Sequence, residues 1–316
     1  MAEKPRLLVL EPFRSPDALA RLRKKFDVWS LDSMEDLPTL PSDFVGLVAR
    51  LKYRIDEKLV SRFSHLRFVA TPTTGLVHID LDVMARRDIE VVSLKEDTAF
   101  LQNLTATAEL VWGLILTAYR NLGPATESVR AGVWNRDPYI GNELREKTLG
   151  VVGLGRLGSM VAEVGIAFRM NVLYCDPILK DTTQARRVDF DTLLAESDII
   201  TLHIHATPQT TRMLAAREFA RMQRQPLLVN TARGEVIDED ALLEALSSGQ
   251  IRGACLDVLC DEHWNTEEDK VRWAKNNRLI AYAWEHRNLV LTPHIGGLVF
   301  EGAARAEDHL IGKLLA

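Results

Sequence analysis

Three side chains able to move a proton and hold a developing charge stand just beyond apolar runs of the kind that form buried strands. They are Arg233 in Asn230-Thr231-Ala232-Arg233-Gly234, Glu262 following Asp257, and His294 in Pro293-His294-Ile295-Gly296-Gly297. Removing hydride from an alcohol carbon requires a base for the hydroxyl proton, a cation for the emerging carbonyl oxygen and an acceptor for the hydride. An imidazole titrates near neutral pH, so His294 suits the base, with Glu262 to orient it. The Arg233 guanidinium can grip a carboxylate and a carbonyl oxygen together. Taken singly, each has a plainer reading: an ordinary ion pair, a solvated loop acid, a capped core histidine. Their convergence on one sheet edge is what favours chemistry.

The hydride acceptor has its own stretch, Leu149 to Asp176, which reads as strand, glycine turn, helix and second strand. Gly150-Val151-Val152 is a short buried-type run, followed at once by Gly153-Leu154-Gly155-Arg156-Leu157-Gly158. Gly153 makes the tight turn, Gly155 lets a pyrophosphate approach the backbone, and Gly158 lets the helix pack on the strand. The helix opening at Arg156 and Leu157 turns unpaired N–H groups and its positive dipole end toward that pyrophosphate. Asp176, about twenty residues past the glycines, can accept from both hydroxyls of an adenine ribose and would repel a 2′-phosphate. NAD is therefore expected over NADP, with Lys180, Arg186 and Arg187 downstream as the features that favour a phosphate.

These groups need a scaffold, and the chain is long enough for two domains: 316 residues exceed the size at which one core usually stops growing. A formal charge of −5, from 39 basic and 44 acidic residues, leaves no electrostatic footprint for nucleic acid. The apolar run after Met1 suits a first strand better than a signal peptide, and Ala106 to Tyr119 is short for a bilayer and interrupted by Glu109, so the expectation is a cytoplasmic protein without membrane contact. Cys175, Cys255 and Cys260 lack metal-type spacing and read as strand-buried thiols, with no metal site. His203 and His205 lie at a strand end without a paired acid and read as structural, with contact to the cofactor as the alternative.

Strand and helix alternate from Leu7-Leu8-Val9-Leu10, through a helix capped by Ser15-Pro16-Asp17, to strands at residues 44–49 and 67–71. Ligands on such sheets bind at strand carboxyl ends, where Arg50 and the loop Thr73-Thr74-Gly75-Leu76 fall. Arg50 suits an oxyanion at the far end of a substrate, its plain alternative being a salt bridge. Asn103 to Leu122 reads as one long helix stopped by Gly123-Pro124, and residues 123–147 as a polar stretch too long for a casual loop. Further strands follow at 199–203, 227–230, 253–257 and 289–292, and a closing helix from Phe300 returns to the first domain.

Together these residues resemble the D-isomer-specific 2-hydroxyacid dehydrogenases, which include phosphoglycerate, glycerate and lactate dehydrogenases. The resemblance covers nearly the whole chain and rests on Gly132-Val133-Trp134, the GLGRLG turn, Asn230 to Glu235, Asp257-Val258 five residues before Glu262, and Thr292 to Gly297. It implies an α/β protein with a Rossmann-type NAD-binding domain (103–295) inserted in a flavodoxin-like parallel α/β substrate domain (1–102 plus 296–316). It implies Arg233, Glu262 and His294 as the catalytic trio, and Asp257 and Thr231, with Ala232 and Gly296 beside them, around the nicotinamide end of NAD. The backbone of Thr74, Gly75 and Leu76 would hold the substrate carboxylate, and residues 123–147 would form the arm of a homodimer. The implied activity is reversible conversion of a D-2-hydroxy acid to a 2-oxo acid. An NAD-sensing binding protein of the same fold, like the corepressors that keep the trio, is the alternative. Formate dehydrogenases place glutamine where Glu262 stands and phosphite dehydrogenases lysine where Thr74 stands, so neither is favoured.

Two departures stand out. His263 replaces the proline usual after the glutamate, and the stretch to His294 is about a dozen residues longer than usual, with Trp264, Trp273 and Trp284 among charges. It reads as an added surface helix whose tryptophans pack on the sheet, or as a lid. Ser93 to Asp97 and Phe100-Leu101-Gln102 replace small residues and would crowd or recognise a longer substrate.

Overall fold

The computed structural model describes residues 3–31, 33–178, 184–262 and 266–316. Lys180, His263 and Trp264 lie outside the described residues. The chain divides into one unit of Met1–Leu104, Glu262–Ala274 and Leu298–Ala316 and another of Thr105–Asp261 and Lys275–Gly297. Residues 262–274, assigned from sequence to the NAD-binding domain, are thus grouped with the first unit.

The first unit holds β1 (Arg6–Val9), β2 (Asp27–Ser30), β3 (Gly46–Val48), β4 (Phe68–Ala70) and β5 (Glu90–Val92). They form a parallel sheet in the order β2-β1-β3-β4-β5, the flavodoxin-like order. The interior strands β1 and β3 are almost wholly apolar and buried, as parallel strands covered on both faces must be. Ser15 caps the helix Pro16–Lys25, its hydroxyl accepting from the Ala18 N–H, and Pro16 occupies the first turn where its missing N–H costs nothing. The last helix, Phe300–Leu315, buries Ala306, Leu310 and Ile311 in the same core as Leu7, Val9 and Leu22.

The segment before residue 105 packs on that helix. Phe100 stacks on His309 at 4.1 Å, Leu94 and Leu101 are buried, and Lys313 bonds Ser93 O and Asp97. The bulky residues expected to crowd a substrate are engaged in anchoring this segment.

The second unit holds β6 (Thr148–Val152), β7 (Asn171–Cys175), β8 (Arg186–Arg187), β9 (Ile199–Leu202), β10 (Leu227–Asn230), β11 (Gly253–Leu256) and β12 (Leu289–Leu291). Their parallel order is β12-β11-β10-β9-β6-β7-β8, so the sheet runs outward both ways from the junction of β6 and β9. That junction is the topological switch point where a doubly wound sheet opens a crevice for ligands.

The helix read from Asn103 to Leu122 is shorter, Ala106–Tyr119, because Gly123-Pro124 does not end it. Left-handed Asn121 (φ 53°) does, and Gly123-Pro124 falls in the first turn of a second helix, Leu122–Arg130. Proline is tolerated there because first-turn N–H groups have no intrahelical partner. Thr98–Tyr119, taken as one 22-residue helix, is long and apolar enough to cross a membrane. A helical break before Ala106 leaves 14 continuous residues, of which Val111, Trp112, Leu114 and Ile115 are buried in the core beneath β6 and β10.

The added stretch forms two helices, Glu267–Asn276 and Arg278–Glu285. The second packs on the sheet through buried Leu279 rather than through its tryptophan, since Trp284 is 92% exposed. Cys255 is buried in β11 and Cys175 half-buried in β7, but Cys260 lies on the loop past β11 rather than in a strand.

Candidate functional site

Because every ladder in the second unit is parallel, the carboxyl ends of its strands share one edge, and six of its seven described strands stop just before a residue singled out above. Gly153 follows β6, Asp176 follows β7, His203 follows β9, Thr231 to Arg233 follow β10, Asp257 follows β11, and Thr292 to Gly296 follow β12. The glycine turn, the cation and the imidazole therefore occupy one rim.

The glycine turn has the geometry its sequence requires. Gly153 sits at φ 88°, and a Cβ there would meet His203 O at 2.6 Å. A Cβ on Gly158 would lie 2.1 Å from Gly153 O, so only glycine permits the helix Arg156–Ala167 to begin so close to β6. At Gly155 a Cβ would meet nothing within 4 Å, which is the open face a pyrophosphate needs. Arg156 and Leu157 supply the first helical N–H groups.

Asp176 accepts the Leu154 N–H at 2.7 Å with Oδ2 and the Ile178 N–H at 2.8 Å with Oδ1. A carboxylate offers about four lone-pair sites, so acceptor capacity for ribose hydroxyls remains. Of the cations that could favour a phosphate, Arg186 is paired with Glu196 at 2.7 Å, and Arg187 donates to Asp176 O at 2.9 Å.

Asn230, not singled out by the sequence reading as a site residue, organises the loop that carries Arg233. Its Oδ1 accepts the Ala232 N–H at 2.9 Å and its Nδ2 donates to Arg233 O at 2.8 Å. Asn230 is fully buried, and the signal for it was a polar residue ending an otherwise apolar strand. Arg233 Nη1 in turn donates to Ala232 O at 2.5 Å. Gly234 presses on the next loop, where a Cβ would meet Leu259 C at 2.2 Å. That contact, with Glu239 Oε1 accepting the Cys260 N–H at 2.8 Å, fixes the backbone two residues ahead of Glu262. Asp261 between them is left-handed at φ 54°. Burial pushes the Glu239 carboxyl above its ordinary range.

Asp257 is 1% exposed and gathers the His294 loop around its carboxylate. Oδ1 accepts from Thr292 Oγ1 at 2.5 Å and from the Ile295 N–H at 2.9 Å, and Oδ2 from the Gly296 N–H at 2.8 Å. Burial pushes this carboxyl up, and the three donors pull it back toward ionisation. His294 itself is held at φ 53°, a left-handed conformation uncommon for a residue with a side chain.

The residues fit a dinucleotide. Thr231 Oγ1 is buried with no hydrogen-bond partner, a cost a polar ligand would relieve. It lies one residue past β10, and Asp257, past β11, has a lone pair to spare for an amide.

In the first unit, Thr73 Oγ1 donates to Gly75 O at 2.8 Å and the Ile79 N–H to Leu76 O at 2.9 Å, which pins the loop containing Thr74. Arg50 does not present the open guanidinium expected of an oxyanion contact. Its Nη1 bonds Glu307 at 3.1 Å, its Nη2 bonds Pro12 O at 2.9 Å, and its Nε lies 3.5 Å from Glu11. The cause is Glu307, 2% exposed, which also accepts the Arg14 and Ser15 N–H groups at 2.7 Å, because a buried carboxylate needs a cation and several donors.

Residues 112–296 match the model of the D-isomer specific 2-hydroxyacid dehydrogenase NAD binding domain. The chain is 34% identical to D-3-phosphoglycerate dehydrogenase of Archaeoglobus fulgidus over 96% of its own length and 56% of the relative's. It is 36% identical to glyoxylate reductase of Aeropyrum pernix, over 96% of the chain and 90% of the relative. It also resembles the structure of D-lactate dehydrogenase from Aquifex aeolicus complexed with NAD and lactic acid, with a TM-score of 0.82 at 27% identity, covering 98% of this chain and 94% of that one. The chain spans about half the length of the phosphoglycerate dehydrogenases it matches. On the extent of the family match and the identity to full-length relatives, this chain belongs to the D-isomer specific 2-hydroxyacid dehydrogenase family.

Proposed function

We propose that the protein interconverts a D-2-hydroxy acid and a 2-oxo acid, using NAD in preference to NADP. The observation that carries this is the shared rim: Arg233 past β10 and His294 past β12 stand on the same sheet edge as the glycine turn past β6. A dinucleotide held at the glycine turn, Asp176, Thr231 and Asp257 would supply the hydride acceptor for oxidation at C2 of the hydroxy acid and, in reduced form, the hydride donor for the oxo acid. His294 removes the hydroxyl proton in oxidation and supplies it in reduction. Arg233 holds the C2 oxygen and the carboxylate as charge builds between them. Glu262 orients the imidazole, and the Thr74, Gly75 and Leu76 amides hold the carboxylate. Asp176 binds the ribose hydroxyls, while Thr231 and Asp257 bind the carboxamide, with Ala232 and Gly296 lining that end.

A panel of 2-oxo acids with NADH, including glyoxylate, pyruvate and hydroxypyruvate, tests the reading. At least one member should turn over at about 1 to 10³ per second. In that assay His294→Ala should lose roughly 10²- to 10⁴-fold in kcat while still binding NADH. Negligible rates with every acid, despite tight NADH binding, would reject the enzyme in favour of a sensor.

The reading includes a homodimer built on residues 123–147 and a cytoplasmic location. Support for the dimer is an apolar surface along this stretch, where Trp134 is 90% and Ile140 83% exposed, with Val129 and Val133 about half so. Monomers rarely leave such a patch open to water.

A further inference from the structure

We infer that Thr292 is a positioning residue for His294, acting through the Asp257 carboxylate to hold the imidazole in its working place. The inference rests on the reading of His294 as the proton-transferring group.

The strands make the arrangement possible. β11 and β12 are paired with Leu256 opposite Leu291, so Asp257 and Thr292 emerge side by side. The Thr292 N–H bonds Leu256 O at 3.0 Å, which carries the ladder one residue further and stops it there. Beyond that point the chain bends at His294. The His294 N–H is shared between Asp257 O at 2.9 Å and Thr292 O at 3.0 Å, and His294 itself sits at φ 53°, which directs the following Ile295 and Gly296.

A left-handed histidine persists only where its surroundings over-determine it. Here one carboxylate does so. Oδ2 takes the Gly296 N–H, while Oδ1 takes the Ile295 N–H and the Thr292 hydroxyl together. A carboxylate's terminal torsion is soft, so its plane is set by its partners. The Ile295 and Gly296 amides belong to the very loop that needs holding, and they cannot also serve as its fixed reference. The Thr292 hydroxyl can, because Thr292 is still tied to the ladder. It is the one donor in the set that anchors the carboxylate to the sheet, and through the carboxylate it anchors the turn that aims His294. Misplacement of a reacting group by about 1 Å can cost on the order of 10²-fold in rate, so the hydroxyl matters to chemistry without touching substrate.

The test compares Thr292→Val, Thr292→Ser and His294→Ala in the full chain, using the best oxo acid of the panel with NADH. Thr292→Val should lower kcat about ten- to a hundredfold, leaving KM for the oxo acid within about threefold, while Kd for NADH, which also draws on Asp257, rises by clearly less than kcat falls. Without any ligand, amide hydrogen exchange of Ile295 and Gly296 should quicken about tenfold, with exchange elsewhere unchanged as proof of folding. Thr292→Ser should return kcat to within about threefold of the parent. Thr292→Ala, which adds no bulk, replaces the valine variant if that one does not fold.

Full turnover in Thr292→Val overturns the inference. So does a loss shared equally by kcat and NADH affinity that serine fails to restore, since that marks general structural damage. Normal turnover in His294→Ala overturns the base reading instead, and leaves the exchange difference in Thr292→Val standing, so the two failures can be told apart.

Discussion

His203 shows how far surroundings move an imidazole on the same sheet edge that carries His294. Its Nε2 lies 2.9 Å from Thr201 Oγ1, and burial pushes its pKa down from 6.5 to about 4. The folded state keeps this ring neutral while the unfolded chain readily protonates it, so unfolding takes up a proton between those values. The stabilising share is therefore complete above pH 6.5 and is lost as the pH falls from 6.5 toward 4. Two to three pKa units would correspond to roughly 3 kcal/mol, and ~2 kcal/mol is the better figure because the residue keeps some contact with water. Melts of the parent and His203→Gln should diverge by about that amount between pH 7 and pH 4. Parallel curves would remove His203 from the acid sensitivity of the fold. The two histidines differ in placement: the His203 ring is bonded back to Thr201 of its own strand, whereas His294 is carried on a left-handed turn beyond a strand end.

The glycine turn is the element where two like residues have opposite reasons to be there. Gly158 is required by packing, since a Cβ would strike Gly153 O, whereas Gly155 faces open space. Gly158→Ala should cost about 1–3 kcal/mol of stability, as overpacked sites do, and lower the melting temperature. Gly155→Ala should leave melting nearly unchanged yet raise the Kd for NADH about tenfold or more, because its methyl group enters the space reserved for pyrophosphate. Equal NADH affinity in Gly155→Ala would mean that the dinucleotide does not lie against this turn. Elsewhere the elements differ from expectation for local reasons. The Gly123-Pro124 pair looks like a stop because both residues break helices from inside, but in the first turn of Leu122–Arg130 neither defect matters. Edge strands β2, β5 and β8 were not read from the sequence, since they are two to four residues long and partly polar.

At the scale of the whole molecule, the proposed homodimer makes a prediction that activity does not. Replacing both Trp134 and Ile140 by Asp places charges where a partner would have to desolvate them. The variant should sediment as a monomer at micromolar concentration while the parent sediments as a dimer. An unchanged sedimentation coefficient would move the interface away from residues 123–147. The charge of −5 is consistent with a small-molecule enzyme and carries no argument about assembly.

The sequence by itself determined the dinucleotide unit, the parallel α/β character and the identities of Arg233, Glu262 and His294 as candidates. Glycine spacing, buried apolar runs and the residue that ends each run are local properties written in consecutive positions. Only the tertiary structure decided what the neighbours of those residues do. Arg50 was drawn into a pair with buried Glu307, some 250 positions away, and Asp257 became the hub of the His294 turn through donors 35 to 39 positions distant. Such partnerships depend on which strands lie side by side and which carboxylates are buried, and neither is visible until the chain has folded.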